Sequence, residues 1–228
     1  SATYEHIQPH LVGNRQRVLI SDLAGRSNIF YRLKQAGLED RLDDKARRDL
    51  LERIKQLEYM GYELEAAEGT FELLVREALR PGATFFEVIN FEVVTKMTGN
   101  RPSHTTGTVN LRAQDGVHSA TASGHGPVHA LDLCLRQCLS ALYPAIANVR
   151  LTDYKVRVLE PRKGTAAKVR VLVEWSDHKR SWATVGVSDN VIEASWLALL
   201  DAIRLELMRL TEKDENVERA LEEYGWGV

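Results

Sequence analysis

Thr108-Val109-Asn110-Leu111-Arg112-Ala113-Gln114-Asp115-Gly116-Val117-His118-Ser119-Ala120-Thr121-Ala122-Ser123-Gly124-His125-Gly126-Pro127 is a folding unit in miniature. Apolar and polar residues alternate from Thr108 to Ala113, as a strand with one buried face requires. Gln114-Asp115-Gly116 is a turn signal, and Val117–Ser123 returns as a second antiparallel strand. Gly124-His125-Gly126-Pro127 then opens a helix, with proline at the first helical position, where a missing N–H costs nothing. Upstream, Ile89-Asn90-Phe91-Glu92-Val93 alternates as an earlier strand. Downstream, Val128, Leu131, Cys134, Leu135, Cys138, Leu139 and Leu142 recur at helical spacing and form a buried face. The unit reads strand, strand, strand, helix.

The same order recurs. Tyr154, Val156 and Val158 alternate with Asp153, Lys155 and Arg157. Val169, Val171 and Val173 mark a second strand and Trp182–Val187 a third. Ser188-Asp189-Asn190 then caps a helix whose apolar positions are Ile192, Trp196, Leu199, Ile203 and Leu207. A slide of 64 residues superposes Val128 on Ile192, Ala130 on Ala194, Leu133 on Leu197, Leu135 on Leu199 and Leu139 on Ile203. The chain therefore carries an internal duplication of a βββα unit. Each copy has one apolar sheet face and one apolar helix stripe, which stacking helices on sheets would bury.

Working outward, the stretch before this duplication has a different texture. Ser21–Asn28 looks like a turn feeding a helix capped by Ser27 or Asn28. Leu50, Leu51, Ile54, Leu57 and Met60 form a helical stripe that Gly61 breaks, and a second stripe runs through Leu64, Ala67, Phe71, Leu74 and Val75 to the stop at Pro81-Gly82. The expected fold class is α+β. A short helical linker subdomain (1–82) precedes a duplicated βββα regulatory or dimerisation domain (83–210) and a charged tail (211–228).

Composition narrows the function. Thirty basic and 32 acidic residues give a net charge of -2 and are interspersed, so there is no general attraction to nucleic acid or to an anionic membrane. There is no apolar run of about 18 residues and no signal peptide, so the expected setting is cytoplasmic. Cys134 and Cys138 fall on one helix face, which suits reduced core thiols better than a disulfide. The Ser1-Ala2 start without methionine suggests a processed piece.

The glycine-rich entry Gly124-His125-Gly126-Pro127-Val128 has the most chemical content. Unpaired N–H groups at a helix start carry a partial positive charge, and glycines let a carboxylate or phosphate approach closely. The same glycines also serve a simple tight turn from strand to helix. His125, His129 and His118 raise the question of a metal, but the helix boundary between the first two spoils a His-x-x-x-His pair and no metal is expected. His129 is either the polar wall of a pocket or a solvent-exposed residue. Ser21, Ser123 and Ser188 read as caps or turns rather than nucleophiles. Arg157–Lys163 with Lys168 and Arg170 reads as a solvated hairpin, since it lacks interleaved aromatics.

Several segments together resemble the citramalate synthase group of the isopropylmalate synthase-like family. They are Tyr4-Glu5-His6-Ile7 with Leu11–Asn14 and Val18–Ile29; Gly61–Glu68 with Phe71–Leu74; Gly124-x-Gly126-Pro127-Val128-x-Ala130-Leu131; Leu151-x-Asp153-Tyr154-x-Val156-x-Val158-Leu159; and Gly186-Val187-Ser188-x-Asn190 through Trp196. The resemblance implies the carboxy-terminal linker and regulatory region of an acyltransferase that condenses acetyl-CoA with pyruvate in isoleucine biosynthesis. It implies a catalytic (β/α)8 barrel, with its divalent metal, outside these residues, hence no cofactor and no catalytic residue in this piece beyond Tyr4, which resembles a contributor to a partner's active site. It also implies a homodimer that is feedback-inhibited by a small-molecule amino-acid effector, isoleucine by preference; the alternatives are a leucine-responsive isopropylmalate synthase-type regulatory region and a purely structural dimerisation module. Gly124, Gly126 and the N–H groups near Val128 would seat the carboxylate, and His129 or Asp153 would lie beside the ammonium. Leu151, Tyr154 and Val158 would hold the side chain, with Asn190 and Ile192 as weaker candidates at the matching helix start.

Overall fold

The computed structural model describes residues 42–114, 116–177 and 179–211; Tyr4, the Ser21–Asn28 turn and the tail beyond Thr211 lie outside them. Two helices come first, α1 (Asp44–Met60) and α2 (Glu68–Leu79). The Asp43 carboxylate caps α1 through the amide of Ala46 at 2.7 Å, and Gly61 ends it in the left-handed conformation with φ 107°. Leu50, Ile54 and Leu57 form the buried stripe.

A meander β1 (Phe86–Lys96), β2 (His104–Ala113), β3 (Gly116–Gly124) and helix α3 (Pro127–Leu139) follow. A second meander is β4 (Arg150–Val158), β5 (Val169–Ser176) and β6 (Ser181–Ser188), with helix α4 (Val191–Thr211). The two three-stranded antiparallel sheets are separate, ordered β1-β2-β3 and β4-β5-β6. The expected α+β fold and the duplicated βββα order are both present. The 64-residue offset holds beyond the helices: Phe86 and Arg150 begin the first strands, Gly124 and Ser188 end the third, and Pro127 and Val191 begin the helices.

One continuous core joins the copies. Val109 and Leu111 of β2, Val171, Val173 and Trp175 of β5, Leu131, Leu135 and Leu139 of α3, and Leu199 and Ile203 of α4 are all buried in it. Phe91 of β1 meets Trp196 of α4 with ring centroids 5.1 Å apart, so α4 touches both sheets. A second cluster sets Leu50, Ile54 and Phe71 of the first two helices against Leu172, Val185 and Val187 of the second sheet. Both cysteines are free and buried. The Cys134 thiol donates to the Gly107 carbonyl at 3.2 Å, and burial, followed by the neighbouring Cys134, pushes the Cys138 thiol up to about 11.

Three sequence expectations differ in detail. The β1–β2 register shifts between Val88 and Asn90, and this bulge turns Ile89 outward, to 43% exposure, while Phe91 and Val93 stay against the core. Val156 and Val158 pair with the inward residues Val171 and Val169, yet each is 47% exposed, because the helices pack over β5 and β6 and leave β4 largely uncovered. Leu142 falls beyond the end of α3 and is only half-buried.

Candidate functional site

The entry to α3 is built by a strand that runs directly into a helix. Gly124 ends β3 so close to the first turn of α3 that an added Cβ would sit 2.5 Å from the Ala130 nitrogen; at this position the absent side chain serves packing. Gly126 is different. A Cβ there would meet nothing within 4 Å, its backbone is extended, and no side chain caps the helix. The Ala130 N–H donates to the Gly126 carbonyl at 3.0 Å, but the Val128 and His129 N–H groups have no side-chain cap, the condition under which a helix start attracts an anion. His129 lies exposed at the rim. Its Nδ1 accepts from the His125 amide at 3.2 Å, and the two imidazoles stack with centroids 5.4 Å apart and an interplanar angle of 12°. Because Nδ1 accepts this hydrogen bond, the ring proton of a neutral His129 lies on Nε2.

The matching start of α4 is closed. Asn190 Oδ1 accepts from the Ile192 amide at 2.9 Å. The Ser188 hydroxyl donates to Glu193 at 2.7 Å and accepts from the Asn190 amide at 3.0 Å. Asn190 and Ile192 are thus occupied in capping their own helix. Tyr154 reaches over from β4: its hydroxyl lies 2.6 Å from Ser195 Oγ, and Ser195 in turn donates to the Val191 carbonyl at 2.5 Å. With its own proton committed, Ser195 is the acceptor and Tyr154 the donor.

Asp153 is engaged as well. Its carboxylate pairs with Lys155 at 2.6 Å and accepts from the Tyr154 amide at 2.8 Å; these two contacts, led by Lys155, hold it below the usual carboxylate range. Leu151 and Val158 are largely exposed along the β4 edge.

The structure therefore sorts the sequence-derived residues into two places. Gly124, Gly126, Val128 and His129 sit at the open start of α3. Leu151, Asp153, Tyr154, Val158, Asn190 and Ile192 gather around β4 and the closed start of α4. Ser195 was not singled out by sequence reasoning. Its only signal was a hydroxyl inside an apolar helical stripe, which on its own reads as a tolerated core serine.

Comparison with known proteins agrees with this architecture. The profile described as the LeuA allosteric (dimerisation) domain matches residues 65–207. An (R)-citramalate synthase of Aquifex aeolicus is 45% identical over 213 residues, which is 92% of this chain and 40% of that protein. That of Geobacter sulfurreducens is 42% identical over 95% of this chain and 40% of its own length. A 2-isopropylmalate synthase of Methanocaldococcus jannaschii is 29% identical over 88% of this chain and 37% of its own length. The chain spans about 40% of the length of these two citramalate synthases. No described helix is long and apolar enough to cross a membrane.

Proposed function

Since the chain belongs to the family of LeuA allosteric (dimerisation) domains, we propose that it is the regulatory region of a citramalate synthase, which pairs with a second copy of itself and binds a branched-chain amino acid, isoleucine, for feedback inhibition. The observation that carries the effector reading is the open start of α3. Its twin in the second copy caps itself with Asn190, Ser188 and Glu193, whereas Gly126 leaves α3 uncapped. A carboxylate is the simplest group to complete it.

Self-association is supported by the family and by the exposed apolar strip Leu151, Val156 and Val158 on the β4 edge. Such an edge is stabilised when another chain covers it. The condensation of acetyl-CoA with pyruvate belongs to the parent protein on this reading, and it is supported by the names of the relatives that are 40–45% identical. A leucine-responsive domain is the second reading, favoured by the 2-isopropylmalate synthase match. The two effectors differ in the position of one methyl group, worth about 1–3 kcal/mol of discrimination.

Titration calorimetry of the folded chain against isoleucine, leucine and valine tests the effector. Saturable heat with isoleucine strongest is expected, and leucine strongest would reassign it. No heat with any of the three overturns it. Sedimentation equilibrium tests the pairing, for which a monomer at tens of micromolar would be the contrary result.

A further inference from the structure

A second cleft lies where the helical segment and both βββα copies meet. It has a volume of about 230 Å³ and is lined by Leu73 and Glu77 of α2, Phe85 and Phe86 at the start of β1, and Arg204 and Met208 of α4. That volume is below the roughly 300 Å³ at which drug-sized pockets begin, and suits a small metabolite. Apolar side chains and Thr84 share the walls with two groups of opposite charge, Glu77 and Arg204, and among the described residues neither forms a direct ion pair. The Arg204 guanidinium lies over the Phe86 ring at 5.6 Å, which fixes its plane while leaving its N–H fork available.

We propose that this cleft is a second ligand site, specific for a free α-amino acid with an apolar side chain. Arg204 takes the carboxylate through its paired N–H donors, Glu77 takes the ammonium, and Leu73, Phe85, Phe86 and Met208 cover the side chain. Two further features support the assignment. Partial desolvation raises the Glu77 carboxyl more than the nearby Arg204 and Arg53 lower it, so its charge is only partly compensated in the free chain and a ligand ammonium would complete it. The cleft also draws on three parts of the chain, so occupancy would fix their relative placement by differential binding. The proposal does not rest on the seat at α3, which lies on other residues.

The chain has three methionines. Met208 is buried in the cleft wall, whereas Met60 and Met97 are exposed elsewhere. With ¹³C-methyl methionine, titration of the full chain with isoleucine, leucine or phenylalanine is expected to move the Met208 resonance saturably and to leave the other two in place. Glu77→Gln and Arg204→Gln should each raise the half-saturating concentration about tenfold or more, the effect of losing one charge-assisted hydrogen bond. Glu77 is exposed, so its substitution leaves the fold intact, and Arg204→Lys should restore part of the loss.

A Met208 signal that stays still while calorimetry records binding would overturn the second site and leave the α3 effector reading standing. A Met208 shift unaltered in both Gln variants would overturn it as well. If 4-methylpentanoate, which lacks the ammonium, shifts Met208 as effectively as leucine, the zwitterion assignment is wrong.

Discussion

The two βββα copies share an offset, a strand order and a core, yet they finish their surfaces differently. In the second copy α4 runs 21 residues against 13 for α3, its start is capped, and the β6 edge of its sheet is covered, while the β4 edge stays exposed. Thr70 of α2 accepts from the backbone N–H of Val185 on β6 and donates to Asp201 of α4, each at 3.0 Å. In the first copy the helix start is uncapped, and the outer face of the sheet displays Asn90, Thr108, Asn110, Ser119 and Thr121 to solvent. Duplication supplied the frame, and divergence made one half the anchorage for the preceding helices and left the other half open.

The anchorage should be the most fragile part. Glu72 of α2 is buried between Arg76 of its own helix at 2.7 Å and Arg209 of α4 at 2.9 Å, and Arg209 also stacks over Trp182 at 4.7 Å. Burial alone would raise the Glu72 carboxyl, but the two guanidinium groups outweigh it and hold it below its ordinary value. Removing the carboxylate takes away the counter-charge shared by two buried cations, so Glu72→Ala should cost about 3–5 kcal/mol, read as a fall in urea midpoint. Because its folded pKa is depressed, the contribution of Glu72 is present above the unfolded value and fades as pH falls through the folded one. A variant of normal stability would mean that α2 is not fastened to the second copy as described.

A smaller effect tests whether the copies are interchangeable. Gly186 of β6 lies so close to α4 that a Cβ would sit 1.9 Å from the Ala194 carbonyl oxygen, whereas Ala122 stands at the equivalent place in the first copy. Gly186→Ala should cost about 1–3 kcal/mol through overpacking, while Ala122→Gly should cost roughly the 1 kcal/mol expected of glycine in a strand. Equal costs in thermal melts would show that the helix approaches both sheets alike.

Much of this was legible in the sequence and some was not, for physical reasons. Local periodicity reports which face of an element is apolar, so the strands, both helices and the offset between copies could be read directly. Periodicity is blind to a bulge, and Ile89 was expected inside for that reason. It is equally blind to what covers an edge, which is why Val156 and Val158 look like core residues and are not. Thr70, Glu72 and Asp201 occupy positions that read as solvated helix surface. They are polar and paired inside the protein because partners more than 130 residues away in the chain lie against them. Of the site, the glycine-rich start of α3 was visible, but its contrast with the self-capped α4 depends on hydrogen bonds that no spacing reveals.

Asp201 offers a pH test of the same anchorage. Burial pushes its carboxyl up to about 7, with Glu77 adding to the rise and Thr70, Arg204 and Arg53 opposing it; Tyr62, itself raised first by burial and then by Asp201, is a further neighbour. An unfolded aspartate titrates near ~3.9. The folded chain therefore keeps a proton that the unfolded chain has lost, so the stabilising contribution is full below about pH 4 and declines as pH rises to about 7. Urea midpoints at roughly pH 5 and pH 8 should converge in Asp201→Asn more than in the parent. An unchanged slope would mean that Asp201 is solvated.

The smallest change in stability tests the contrast most sharply, because its sign differs between the copies. Asn190→Ala removes the cap of α4 and should cost about 1 kcal/mol. Gly126→Ser adds a cap to α3: the backbone at Gly126 is already extended, with φ -175° and ψ 176°, and there is open space for the side chain. Its hydroxyl would accept from the opening N–H groups and stabilise the chain by a few tenths of a kcal/mol. If the open start is a carboxylate seat, that gain comes with weaker binding, because the serine oxygen competes for the donors the effector needs. Melting and calorimetry on the same sample separate the outcomes. A more stable chain that binds isoleucine less well supports the seat, and a more stable chain that binds as before means that the glycine at 126 serves only the turn from β3 into α3.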